Sequence, residues 1–316
     1  MNSAGVRPVD GVEILIVMDN TIDVLMAPQD GVERFSLAGR RIDQDQPVAE
    51  HGFSALVTVI ERGSRTSVLY DGGLSPLGLG RNLDVLGIDP RALRALVISH
   101  GHFDHHGGLH GLFERHGRAA LPLLIHPEAW RRRKVVLPTG AEIALPPPSL
   151  TDLEAEGCEV TEETGPSLLL DGSVLVSGQV PRVTDFETGF PIHFGEAPGG
   201  GFEPDPLIID DQNLIVNVRD RGLVIVSGCS HAGAVNVLRN AVGLTGEPRV
   251  AGFVGGFHLT GAVFEPLIEP TIAAFAAAGV ARVVPAHCTG WKAVHRLAAT
   301  MPGGFVMPSV GTTIRF

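Results

Sequence analysis

The sequence predicts a mixed α/β protein in which two β-sheets stack face to face with helices on the outside. Three observations carry this. Short apolar runs bounded by turn residues recur along the chain, helical patterns fall between several of them, and both halves contain such runs. A doubly wound parallel sheet gives a similar string, and periodicity alone does not choose between the two.

In chain order the strand runs are "EILIVMD" (13–19), "SALVTVI" (54–60), "SVLYDGG" (67–73), "ALVISH" (95–100), "LPLLIH" (121–126), "SVLVSG" (173–178), "LIVNV" (214–218), "GLVIVSG" (222–228), "VAGFVGG" (250–256) and "ARVVPAH" (281–287). The clearest helical patterns are "AGAVNVLRNAV" (232–242) and "EPTIAAFAAAG" (269–279), the second closed by Gly279. "LPPPSL" (145–150) and "EAPGGGFEPDP" (196–206) suit neither regular element and read as loops. The expectation is a single domain over 1–316 with two pseudo-halves and a break near 145–165.

At 316 residues and 44% hydrophobic content the chain has enough apolar side chains for a large core. A net charge of −11 discourages nonspecific nucleic-acid binding, so the partner expected is a small molecule. Three cysteines, Cys158, Cys229 and Cys288, are too few for a disulfide framework and suggest a reducing cytoplasm. In "MNSAGVRPVDGVEILIVMDN", Asp10 and Glu13 precede a short apolar run, which is unlike a secretory signal. No run approaches the ~18 apolar residues that would span a membrane.

The densest chemistry lies in "ALVISHGHFDHHGGL". The chain's average of 13 His in 316 residues would place fewer than one in the segment from His100 to His110, which holds five. An apolar strand ends at Ser99 and the side chains follow in the loop beyond it, where sites commonly sit. Alternation carries His100 and His102 to one side, while Asp104 and His105 follow after the chain turns. Two imidazoles can grip one metal ion, and the carboxylate and third imidazole a second. Such donors suit zinc, with iron or manganese less selectively accepted.

Later strands repeat this grammar. "GLVIVSGCSHAGAVNVL" ends in Cys229 and His231, where Cys229 is either a buried structural thiol or a ligand. "ARVVPAHCTG" ends in His287. "FVGGFHL" offers His258, either a pocket histidine or a direct ligand. Asp71 in "SVLYDGG" is either a surface turn or a group behind the histidine loop that fixes an imidazole tautomer. Arg182 in "SGQVPRVTDFE" is either exposed or a two-oxygen clamp for phosphate or carboxylate. "RRRK" (131–134) reads as a solvated face. His106 and His110 look helix-facing or exposed, and His51, His116, His126, His193 and His295 read as structural or surface residues.

These residues resemble the metallo-β-lactamase superfamily, whose His-x-His-x-Asp-His motif is matched by His100, His102, Asp104 and His105. The resemblance implies an αββα sandwich with a site at one sheet edge and two metal ions. It narrows further: "IVMDNTID", "EHGFSALV", "SHGHFDHHGGL", "IDDQNLIV", "SGCSHAGAVN", "FVGGFHL" and "PAHCTG" follow the order of a subfamily named for dihydropterin-aminobenzene ribofuranosyl phosphate synthase, over about residues 14 to 290. By that likeness His231 and His287 are the later ligands, and Cys229 falls near an aspartate of other members. Gln179 stands where that subfamily is expected to carry glutamate. The superfamily's usual glycine-histidine turn before midchain is not evident, so His231 is taken to replace it. The flavodiiron branch resembles the chain less, having glutamate in place of His102 and a flavodoxin-like domain.

The main expectation is a hydrolase of phosphate esters or lactones, acting on a small anionic or heterocyclic substrate through a metal-bound hydroxide. One ion would be held by His100, His102 and His231, the other by Asp104, His105, His287 and Cys229, with Asp104 also at the reacting centre. His258 or Arg182 would stabilise developing negative charge. The alternatives are a transferase of the synthase type and a noncatalytic metal-binding protein.

Overall fold

The computed structural model describes residues 5–117 and 120–316. Residues 1–4, which open the segment read as unlike a secretory signal, lie outside the described residues. The expected architecture is present: two large mixed sheets stack, and helices cover their outer faces. Among the described residues the first sheet has eight strands, ordered Val32–Glu33, Thr313–Arg315, Gly11–Met18, Ser54–Glu61, Ser64–Tyr70, Leu93–Val97, Leu121–Ile125 and Cys158–Glu162. The second has six: Ser167–Leu169, Val174–Val176, Asn213–Val218, Gly222–Ser227, Val250–Gly256 and Val283–Ala286.

Strand alternation builds the layers. In Asn213–Val218, Leu214, Val216 and Val218 face the core between the sheets while Ile215 joins the outer helical layer. In Gly222–Ser227, Val224 and Val226 face inward and Leu223 and Ile225 outward. Helices Ala234–Thr245 and Ile268–Ala277 pack on this sheet, and Pro76–Leu86 and Leu109–His116 on the other. Helix Pro76–Leu86 starts where the Ser75 hydroxyl accepts the Gly78 N–H and Pro76 presets the first turn; it stops at Gly87, whose φ of 69° is left-handed.

The parallel strands place the site. Ser64–Tyr70, Leu93–Val97 and Leu121–Ile125 run parallel in one sheet, as do Gly222–Ser227, Val250–Gly256 and Val283–Ala286 in the other. Parallel neighbours need crossover connections, so their carboxyl ends collect at one edge. The register brings Tyr70 beside Val97, and Ser227 beside Gly255. Buried Tyr70 then joins the sheets under this edge, its hydroxyl donating to Gln212 O at 2.7 Å and accepting from Gly228 N at 3.0 Å.

One feature departs from expectation. A third sheet of four antiparallel strands, Phe202–Pro204, His193–Glu196, Arg133–Val136 and Glu142–Leu145, leans over the site edge. The segment read as a loop at 196–206 is the turn and flank of its hairpin, and the run read as a solvated face contributes a strand. Arg133 is only 2% exposed because Asp210 and Asp205 neutralise it: its two terminal nitrogens donate to the Asp210 carboxylate at 2.8 and 2.6 Å. Among the described residues no helix is long and apolar enough to cross a membrane.

Candidate metal centre

The histidine loop is shaped by one buried carboxylate. Asp71, just beyond the strand end at Tyr70, accepts the Ser99 N–H at 2.7 Å through Oδ1. Its Oδ2 accepts the Ser99 hydroxyl and His105 Nδ1–H, both at 2.7 Å. His105 therefore keeps its Nε2 lone pair for the site. With its proton given to Asp71, the Ser99 hydroxyl accepts from His100 Nδ1 at 2.9 Å, which turns His100 Nε2 the same way. Two glycines permit the approach. A Cβ on Gly101 would lie 2.1 Å from Ala129 O, and one on Gly228 would lie 2.3 Å from Ser99 Oγ, where the loops of the two sheets meet.

Asn20 does the same for two further histidines, and its backbone partners fix its orientation. Its Oδ1 accepts the Gly52 N–H and its Nδ2 donates to His287 O. His287 Nδ1 must then donate to Oδ1, at 3.0 Å, leaving Nε2 free. His51 Nδ1 accepts from Nδ2 at 3.2 Å, so His51 carries its proton on Nε2. The neighbouring Asp19 accepts the His287 N–H at 2.7 Å. His231 is held from behind by Asp211, which accepts the Ala232 N–H at 3.0 Å, and by Arg182.

These anchors bring donors from separate strand ends together. Three triads have ligand atoms mutually within 4.8 Å and share one sulfur: His100, Cys229 and His231; His105, Cys229 and His287; and Cys229, His258 and Cys288. A fourth triad joins His51, Asp104 and His287. Asp104 Oδ2 lies 3.1 Å from His287 Nε2, and Cys229 Sγ lies 3.2 Å from His105 Nε2 and 3.3 Å from Cys288 Sγ.

Electrostatics match this donor set at the histidines and Asp104 and oppose it at Cys229, whose thiol only a bound cation would ionise. Burial, then mutual repulsion among neighbouring imidazoles, holds His100 and His231 well below the usual histidine range, so both rings are neutral, as metal coordination would require. Burial opposes a charge on His105, but Asp104 and Asp71 overcome it and raise its pKa to about 9, so the field favours positive charge there, and a metal ion would displace the proton that Nε2 otherwise holds at neutral pH. Burial also disfavours ionised Asp104, yet the facing imidazoles His105 and His287 hold its carboxyl well below the usual range. Burial pushes the Cys229 thiol up. His100 Nε2, His231 Nε2, His287 Nε2 and His258 Nδ1 are buried without a hydrogen-bond partner, and each such group costs about 1–3 kcal/mol. A divalent cation would satisfy them, so the residues fit the metal that the fold implies.

The structure places the sequence-derived candidates as follows. His100, Asp104, His105, Cys229, His231 and His287 converge. His102 lies beside them, its ring 4.5 Å from that of His100 and 4.8 Å from that of His231, but its Nε2 points to His193 Nε2 at 3.0 Å. His258 stands 4.4 Å ring to ring from His231 and stacks edge-on to Phe264 at 4.5 Å, lining a narrow recess with Phe257. Arg182 corrects the substrate-clamp expectation: its terminal nitrogens donate to the carbonyls of Glu187, Ala232, Leu207 and His231, so it braces the loop under His231. His51 and His193, read as structural or surface residues, belong to the site region. Larger cavities of about 620 and 660 Å³, beside Arg94 and beside Trp130, contain none of these donors, so chemistry and not volume locates the site.

Comparison with known proteins agrees with this geometry. The chain is 28% identical over 298 residues, 91% of its length and 97% of the relative's, to a 7,8-dihydropterin-6-methyl-4-(β-D-ribofuranosyl)-aminobenzene-5′-phosphate synthase of Methanocaldococcus jannaschii. Among solved structures it is similar to Tm1679, described as a metal-dependent hydrolase of the β-lactamase superfamily, with 27% identity, a TM-score of 0.71 and coverage of 96% of this chain and 98% of that one. The fold of YhfI from Bacillus subtilis, a metallo-β-lactamase fold protein, aligns with a TM-score of 0.53 at 10% identity over 97% of this chain and all of that one. The synthase-named relative corrects the hydrolase expectation: an enzymatic activity is supported, but hydrolysis is not supported beyond the superfamily as a whole. A model of the family described as the metallo-beta-lactamase superfamily matches residues 52–214, just over half of the chain and including its histidine loop, and the chain belongs to that superfamily.

Proposed function

We propose that the chain is a metal-dependent transferase of the dihydropterin-ribofuranosyl-aminobenzene phosphate synthase type, which joins a dihydropterin-6-methyl group to a ribofuranosyl-aminobenzene phosphate. The observation that carries this reading is the alignment with the synthase-named relative across nearly the whole of both chains. Two divalent ions, zinc in preference to iron or manganese, would be held by His100, Cys229 and His231 and by Asp104, His105, Cys229 and His287. Such ions polarise phosphoryl oxygens and neutralise their charge.

The chain's own residues supply the rest. Phe190, His258 and Phe264, with ring centroids 4.5–5.6 Å apart, form an aromatic wall beside His231 that suits a planar ring. Partial desolvation, then nearby His287, shifts His51 below its ordinary pKa although its ring is exposed, which favours the neutral ring. Asn20 places the His51 proton on Nε2, which stands 3.7 Å from Asp104 Oδ2 at the mouth and offers a donor to a phosphoryl oxygen. Asp71 and Asn20 keep His105 and His287 in the ligating tautomer.

The test is incubation of the metal-loaded protein with a dihydropterin-6-methyl diphosphate and a 4-(ribofuranosyl)aminobenzene 5′-phosphate. The expected result is the joined pterin-aminobenzene product, identified by mass: the aniline nitrogen bonds to the pterin methylene, the methylene–diphosphate bond breaks, and one diphosphate and one proton are released per product. Diphosphate release without that product, or no turnover of the aminobenzene, contradicts the reading.

A further inference from the structure

We propose that His193, carried by the third sheet, is a metal ligand of this centre and shares an ion with His102. The inference rests on the reading that the donor cluster binds metal. Three observations carry it. His193 Nδ1 donates to the Asp205 carbonyl at 2.7 Å, so its proton is fixed there and the Nε2 lone pair points inward. This is the arrangement found at His100, His105 and His287, each tied at Nδ1 and open at Nε2.

The second observation is the spacing. His193 Nε2 lies 3.0 Å from His102 Nε2. Two nitrogens bound about 2.0–2.1 Å from one zinc ion, at angles of about 90–110°, stand about 3–3.4 Å apart. Neither His102 nor His193 belongs to any of the four donor triads among the described residues, so each gives the other the partner that those triads do not.

The third is rigidity. His193 is fully buried, stacks on Phe190 at 6.1 Å with the rings 24° apart, and pairs with Val135 in the sheet. The same sheet is tied to the histidine loop itself. Asp210 receives both terminal nitrogens of Arg133 and also the N–H of Gly101, the residue between His100 and His102, at 2.8 Å. A ligand from a separate sheet needs such a brace if its nitrogen is to stay in register with the loop.

The experiment combines a zinc-loaded crystal of the full chain with metal titrations of His193→Gln, His102→Ala and His287→Ala. Anomalous scattering at the zinc edge is expected to show an ion about 2.0–2.2 Å from Nε2 of both His102 and His193. His193→Gln, confirmed as folded by circular dichroism, is expected to lose at least about tenfold in zinc affinity, as His102→Ala does. Zinc bound at His287 but more than 3 Å from His193, or unchanged affinity in His193→Gln alongside a loss in His287→Ala, overturns the inference and leaves the metal reading intact. No bound zinc in the unaltered protein, and no change in any variant, overturns both.

Discussion

The two halves of the site are built differently. The first half delivers His100, His102, Asp104 and His105 from one continuous loop, with Asp71 holding Ser99 and His105 and Asp210 holding Gly101. The second half delivers Cys229, His231 and His287 from two loops, whose anchors Asp19, Asn20, Arg182 and Asp211 are scattered through the chain. The first depends on carboxylates and an ion pair sealed together in the interior; the second depends on separate side chains that each hold backbone N–H or carbonyl groups, with partly buried Arg182 among them. The first half should therefore be the more brittle under substitution.

The largest effect is expected at the brace between the third sheet and the histidine loop. Arg133→Met leaves Asp210 buried and unpaired, and should lower the unfolding free energy in urea by about 3–5 kcal/mol. Asp71→Ala strands three buried donors and should cost about 3 kcal/mol in the same assay, with loss of bound zinc. In the second half, Arg182→Ala removes a partly buried donor from four carbonyls and should cost about 2 kcal/mol. Equal costs for Asp71→Ala and Arg182→Ala would break the comparison.

The smallest effect is a pH dependence. Burial is the main cause that raises fully buried Asp211 from 3.8 to about 7. Its folded pKa lies above its unfolded one, so its contribution is fully present below about pH 4 and is lost as pH rises through 7. Relative to Asp211→Asn, the unaltered protein should gain about 1 kcal/mol of stability between pH 8 and pH 6, read from urea unfolding at both. A difference that does not vary with pH would show that Asp211 keeps its charge in the fold.

Much of the fold was legible because strand periodicity, turn residues and helix stops are local signals. The third sheet was not. Its strands are three or four residues long, and "RKVV" looks like a charge run until Asp210, far along the chain, neutralises Arg133. The histidine loop announced itself by density, and Asp71 was identifiable as a group behind it. His51 and His193 are single histidines in unremarkable surroundings, and only tertiary contact distinguishes them. The acidic runs "MDN" and "IDDQN" were the available signal for anchors of both halves, since Asp19, Asp210 and Asp211 are buried carboxylates that each need donors. The reaction was least legible, because the same ligands on one fold serve different chemistries.

The most direct measurement is anomalous diffraction, at the absorption edges of zinc, iron and manganese, from crystals of the chain purified without added metal. The account predicts density where the two sheet edges meet, bonded to His105 from the first half and to Cys229 or His287 from the second, with metal–nitrogen distances near 2.1 Å. Metal bound only to residues of one half, or no anomalous signal among these side chains, would contradict it.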